Sequence, residues 1–302
     1  MTNWMNALNE QFGIDNALVF ETDENGETVA LINNCHASAA IALQGAQLIS
    51  WVPNEHKPVI WLSSGATPSA EKPMRGGVPI CWPWFGAHPS HPELPAHGFA
   101  RTSHWHLIHS AALADGSTAI TLELSSDQIP AHLWPQPLSL QYRITVGQTL
   151  MVELITHNRG VSEITISEAL HTYFSVSDIR NITVEGLDGC HYLDKVDNIQ
   201  RKQQKGDVVF NSEVDRIYVD TSADCTIKDP LYARQIHIRK EGSRSTVIWN
   251  PWLEKSIQMS DMDDHDYLNM VCIESANAAH NATVIPAGET HRLMARYRIE
   301  PL

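Results

Sequence analysis

The chain is cut at short intervals by turn dipeptides, and the runs between them alternate with period two. Asn25-Gly26 stands between VFET and TVALI, and Asp115-Gly116 between WHLIHSAAL and AITLEL. Asn-Gly and Asp-Gly supply the positive φ angles that two-residue hairpin turns demand. Asp188-Gly189 and Gly242 punctuate further strand-like runs. Near the C-terminus Leu293, Ala295, Tyr297 and Ile299 alternate with Arg292, Arg296 and Arg298, the pattern of a strand with one buried and one wet face. Helical periodicity is rare; Trp4, Met5, Leu8 and Phe12 predict one short N-terminal helix. Consecutive hairpins imply antiparallel sheets. The expectation is an all-β protein, a large antiparallel β-sandwich of two packed sheets. No internal repeat, low-complexity tract or linker interrupts it, so residues 1–302 read as a single domain.

Charge and composition narrow the function. The formal net charge is −14, which argues against a nucleic-acid partner, since such proteins carry a basic stripe. No apolar run approaches the roughly 18 residues of a membrane span, so no membrane partner is expected. The N-terminal MTNWMNALNEQFGI lacks the basic start and apolar stretch of a signal peptide. Cys35, Cys81, Cys190, Cys225 and Cys272 are scattered and form no CxxC pair, which suits free thiols in a cytoplasmic location. Oligomeric state is not legible.

Candidate chemistry clusters in three places. Arg75 to His109 is a Pro- and Gly-rich stretch holding His88, His91, His97, His104, His106 and His109, with the cations Arg75 and Arg101. Loops on a rigid scaffold are where binding residues concentrate, and two guanidinium forks match an anion such as phosphate. Surface salt bridges would equally employ them. The histidines prompt a metal reading, but a catalytic metal wants three protein ligands and Glu93 is the only acid nearby; no metal is expected. In ITISEALHTYFSV, Ile164 to Val176, one face is apolar while the other carries Thr165, Ser167, Ala169, His171, Tyr173 and Ser175. His171 thus points away from the apolar face, among mostly small neighbours, where it could exchange a proton near neutral pH; a half-buried histidine bonded to a strand neighbour fits the same pattern. The apolar run Leu268 to Ile273 is followed by Glu274. Partial burial there would raise its pKa and make it a better base; a solvent-facing strand end is the alternative. Trp249, Asn250, Pro251 and Trp252 form an aromatic loop, suited to a sugar face or to packing. The acidic run Asp261 to Asp266 lacks calcium-loop spacing and reads as a solvated loop.

Six segments together resemble the glucose-6-phosphate 1-epimerase family of hexose-6-phosphate mutarotases, within the aldose 1-epimerase superfamily. They are RGGVPICWPWFG (Arg75 to Gly86), HGFAR (His97 to Arg101), EALHTYF (Glu168 to Phe174), VDRIY (Val214 to Tyr218), VIWNPW (Val247 to Trp252) and CIESA (Cys272 to Ala276). The resemblance implies a galactose-mutarotase-like β-sandwich and an isomerase that interconverts the anomers of a hexose 6-phosphate without a cofactor. It implies His171 as general acid, Glu274 as base, Asp215 as a binder of sugar hydroxyls, His97 as a second active-site histidine, and Arg75 and Arg101 as partners of the phosphate. The alternatives are an aldose 1-epimerase for unphosphorylated sugar, a non-catalytic carbohydrate-binding β-sandwich and a metal-dependent isomerase.

Overall fold

Each turn dipeptide falls where the chain reverses. In the computed structural model, which describes residues 2–66 and 72–302, Asn25-Gly26 joins the antiparallel strands Leu18–Thr22 and Thr28–Asn33. Asp115-Gly116 joins His106–Ala112 to Thr118–Ser125. Asp188-Gly189 and Gly242 carry the chain between strands of different sheets. Among the described residues two eight-stranded sheets dominate. One, here the site sheet, runs in the order Gln200–Gln203, His191–Asp194, Val214–Tyr218, Ser245–Asn250, Met270–Asn277, Glu168–Leu170, Ile80–Cys81, with Tyr173–Ser175 also beside Met270–Asn277. The other, the back sheet, contains the C-terminal strand Thr290–Pro301 between Arg234–Glu241 and Leu150–Asn158. Every pairing within both is antiparallel, as the hairpin cues require.

Large aromatic and aliphatic side chains fill the space between the sheets. Trp51, Trp82, Trp105, Tyr142 and Tyr297 are fully buried. Hydrogen bonds cross the core: Trp82 Nε1 donates to Thr156 Oγ1 (3.1 Å), and the hydroxyls of Thr172 and Tyr297 meet at 2.6 Å. Glu168, an acid on the apolar face of its segment, is fully buried and pairs with His291 Nε2 of the back sheet at 2.7 Å; a buried carboxylate is tolerable only when so partnered. The N-terminal helix spans Thr2–Phe12. Met5, Leu8 and Phe12 pack against the core while Trp4 stays half-exposed. Asn9 fastens the helix by bonding both the N–H and the carbonyl of Phe20, each at 2.8 Å.

The segment from Ile164 to Val176 is not the continuous strand its alternation suggests. It breaks into Ile164–Ile166, Glu168–Leu170 and Tyr173–Ser175. The first pairs with Thr283–Ile285, the other two with Met270–Asn277. At the second break the His171 N–H goes to Pro79 O and the Thr172 N–H turns back to Leu170 O. His171 therefore sits between two short strands, its backbone N–H held by Pro79, the residue before the strand Ile80–Cys81.

Candidate active site

Glu274 does not end its strand. The strand runs Met270–Asn277, every residue of it is buried, and Glu274 lies in the middle. The apolar run misplaces the strand by two residues at its start, because Leu268 and Asn269 belong to a 3₁₀ turn. Opposite Glu274 stands Val247, and Trp249 faces Cys272 one row along. Val247 and Trp249 floor a cavity of about 180 Å³. Glu274 and His171 line it together with Asp215, Arg75, His97 and Phe85. Five of the six residues expected from the sequence thus meet in one depression.

His171 Nε2 and Glu274 Oε1 are 3.3 Å apart, and both side chains are largely removed from solvent. The imidazole stacks on the Tyr173 ring (centroids 4.9 Å apart, planes at 13°) and meets Trp249 edge-on. Burial drives both groups toward their neutral forms. The Glu274 carboxyl is pushed well above its ordinary range by desolvation and by Asp215, with Lys195 and Arg101 opposing. The His171 imidazole is pushed well below its ordinary range by desolvation, by the neighbouring His97 and by the charges of Arg101 and Arg75. Burial thus favours the neutral pair, a protonated Glu274 beside an unprotonated His171. Glu274 Oε2 and His171 Nδ1 are buried without a hydrogen-bond partner among the described residues, so each retains capacity for a ligand atom.

His97 approaches His171 to 6.0 Å between ring centroids and packs edge-on against Phe85. Burial, helped by Arg101, Lys195 and Arg75, lowers its pKa to about 3, so it is a neutral donor or acceptor. Its backbone is left-handed, φ +66°, and so is that of Gly98, φ +76°. A Cβ on Gly98 would lie 1.9 Å from Trp82 O; only glycine allows the close approach that swings His97 over the cavity.

The arginines separate. Arg75 lines the cavity and is held in place: Nε and Nη2 donate to Asp261 Oδ2 (3.2 and 3.0 Å), and Nη1 donates to the Tyr173 hydroxyl (3.0 Å). Arg101 is not in the lining. Its guanidinium donates to Ala96 O at 2.7 Å and borders an adjoining crevice, yet its charge acts on His97, His171 and Glu274. The acidic run, read from sequence as a solvated loop, has a structural task. Asp261 grips Arg75, while Asp263 and Asp266 accept from Ser64 and Ser63. Nothing in the spacing of the run indicates these partners, which lie nearly 200 residues away.

One cavity residue escaped the sequence reading. Lys195 Nζ donates to Asp215 Oδ2 at 2.8 Å from the rim. It is a single lysine among scattered charges, and only the fold reveals where it points.

The match to known proteins is extensive. Residues 27–298 fit the aldose 1-epimerase family model. An Escherichia coli K12 protein named "Putative glucose-6-phosphate 1-epimerase" is 36% identical over 262 residues, 86% of this chain and 87% of that one. This chain belongs to the aldose 1-epimerase family. A crystal structure described as a "putative mutarotase" from Salmonella typhimurium superposes with a TM-score of 0.87 at 32% identity, covering 95% of this chain and 94% of the other. A galactose mutarotase-like protein from Clostridium acetobutylicum shares the fold, with a TM-score of 0.69 at 12% identity over 94% of this chain and 98% of that one. As an aldose 1-epimerase family member the protein is an isomerase with the galactose-mutarotase-like sandwich.

The remaining histidines of the family member stay apart from the cavity. His88 packs edge-on against Trp84 and His91 against His88, while the His104 and His106 rings lie 5.9 Å apart. Among the described residues, no three His, Cys, Asp or Glu side chains converge on a common metal position. A wider depression of about 910 Å³ lies elsewhere, lined by Arg239, Arg296, Arg298 and His237. Its acid–base pair, His237 and Glu300 at 3.0 Å, is partly open to solvent, unlike the buried His171–Glu274 pair.

Proposed function

We propose that this protein interconverts the α and β anomers of hexose 6-phosphates, glucose 6-phosphate foremost, by opening and reclosing the sugar ring. The observation that carries the reading is the buried His171–Glu274 pair, 3.3 Å apart in a cavity floored by Trp249. Mutarotation needs a base at the anomeric hydroxyl and an acid at the ring oxygen. In the productive complex Glu274 is a carboxylate and His171 an imidazolium, the charged arrangement of the pair. Glu274 takes the proton of the C1 hydroxyl, the C1–O5 bond breaks, and His171 gives its proton to O5. The open-chain aldehyde turns about C1–C2. O5 then attacks the other face of C1, returning its proton to His171, and Glu274 re-protonates the new hydroxyl. Ring opening leaves both groups neutral, the state that burial favours, so proton transfer relieves the cost of the buried charges. Asp215 binds sugar hydroxyls, and His97 stands beside the ring oxygen as a neutral hydrogen-bonding group. Each such positioned transfer is worth about 10²–10⁴ in rate.

Arg75 and Arg101 hold the 6-phosphate in this reading, and the names of the relatives at 36% identity point the same way. The five free cysteines fit a reducing cytoplasm; among the described residues no helix is long and apolar enough to cross a membrane. Optical rotation of freshly dissolved α-glucose 6-phosphate and α-glucose tests the substrate. The protein speeds the phosphorylated sugar strongly, and Arg101→Ala removes about tenfold or more of that rate while sparing free glucose. Equal losses on both sugars exclude a phosphate role for Arg101, and no acceleration of either excludes the function.

A further inference from the structure

Lys195 reaches the cavity by construction. Leu193 stands opposite Ile217 and Asp194 opposite Arg216, and continuing that register brings Lys195 opposite Asp215. The strand stops there. A 3₁₀ turn, Lys195–Asp197, follows, with the Asp194 carboxylate accepting from the Val196 N–H. Two successive residues, Asn198 (φ 52°) and Ile199 (φ 60°), are then left-handed. Asparagine tolerates this; a β-branched isoleucine does not, and such strain persists only where the surroundings impose it. Lys202 pins the turn by bridging Asp194 at 2.8 Å and Asp197 at 2.6 Å. By occupying those two acids it leaves Lys195 to Asp215. The result is a donor–acceptor couple on the cavity wall, with Asp215 nearly buried and Lys195 partly open.

The order of strands says which part of a sugar meets this couple. Across the sheet, Asp215 and Lys195 lie on one side of Glu274, separated from it by the strand of Val247 and Trp249; His171 lies on the other side, followed by His97 near the Ile80–Cys81 edge. In a pyranose the atoms run C6–C5–O5–C1–C2–C3. With O5 at His171 and O1 at Glu274, C6 continues toward His97 and the arginines, and C2–C3 continues over Trp249 toward Asp215. We propose that Lys195 is a substrate-binding residue that, together with Asp215, grips the vicinal hydroxyls at C2 and C3, and so decides which hexose phosphates are accepted. Lysine donates, aspartate accepts, and the strained turn fixes their separation before the sugar arrives. This assignment rests on the ring-opening function proposed above.

The test is Lys195→Met assayed with α-glucose 6-phosphate and its 2-deoxy and 3-deoxy analogues. The variant is expected to lose roughly tenfold to hundredfold in kcat/KM on glucose 6-phosphate, the size of one hydrogen bond from a charged donor. On the analogue lacking the hydroxyl that Lys195 serves, wild type and variant are expected to agree within about twofold. Ile199→Gly, which releases the turn and keeps the lysine, is expected to raise KM on glucose 6-phosphate with the same analogue selectivity. An undiminished loss on both analogues, or no loss on glucose 6-phosphate, overturns the assignment while leaving the function standing. A wild-type protein inactive on glucose 6-phosphate overturns the function and the assignment together.

Discussion

The proton affinities at His97, His171 and Glu274 follow from burial against the site sheet. For His97 the folded pKa is about 3, against an ordinary value of about 6.5. Between those values the unfolded chain binds more protons than the folded one. The stability contribution of a neutral His97 is therefore complete above about pH 6.5 and is lost as pH falls toward 3. His171 shifts in the same direction and Glu274 in the opposite one, so the contributions of that pair oppose each other on the acid side. In thermal melts from pH 7.5 to 5 the wild-type Tm is expected to fall, on the acid side, relative to that of His97→Gln. Parallel curves would contradict a neutral His97. In the proposed mechanism Glu274→Gln keeps the volume and removes the base, and His171→Asn removes the acid. Each is expected to lose at least about 10²-fold in kcat with the melting temperature near that of wild type.

At the scale of elements, the hairpins were legible because Asn-Gly and Asp-Gly turns declare themselves locally. The segment bearing His171 was legible in its facing and not in its continuity: alternation reports which way Ala169, His171 and Tyr173 point, whereas the break at His171 involves Pro79 O, just before the strand Ile80–Cys81. Glu274 looked terminal because Ser275 and Asn277 interrupt the apolar run, yet both are buried in the strand. The roles of Lys195 and Asp261 depend on partners, Asp215 and Arg75, that only the folded sheet brings near. The His97-Gly98 turn carries a prediction of its own. Gly98→Ala forces a Cβ against Trp82 O at a positive φ, costing about 1–3 kcal/mol in backbone strain alone. Urea denaturation is expected to show that loss together with reduced activity, and an unchanged midpoint would contradict the close approach.

Across the whole molecule, two antiparallel sheets share one aromatic core and leave the outer face of one free to build a site. The pieces of that site come from segments as far apart as Arg75 and Glu274, joined by strand order rather than by sequence proximity. The protein carries a net charge of −14, yet Arg75, Lys195 and Arg101 turn positive charge toward the cavity or its margin. That local reversal suits an anionic sugar in an otherwise anionic protein. We propose that it is the His171–Glu274 pair that opens the ring of a phosphorylated hexose. The most direct measurement is magnetisation exchange between the C1 signals of equilibrated α- and β-glucose 6-phosphate, with wild type and with Glu274→Gln. Exchange is expected to be fast with wild type and to return to the buffer rate with folded Glu274→Gln. Exchange at the buffer rate with wild type, or undiminished exchange with the variant, would contradict the account.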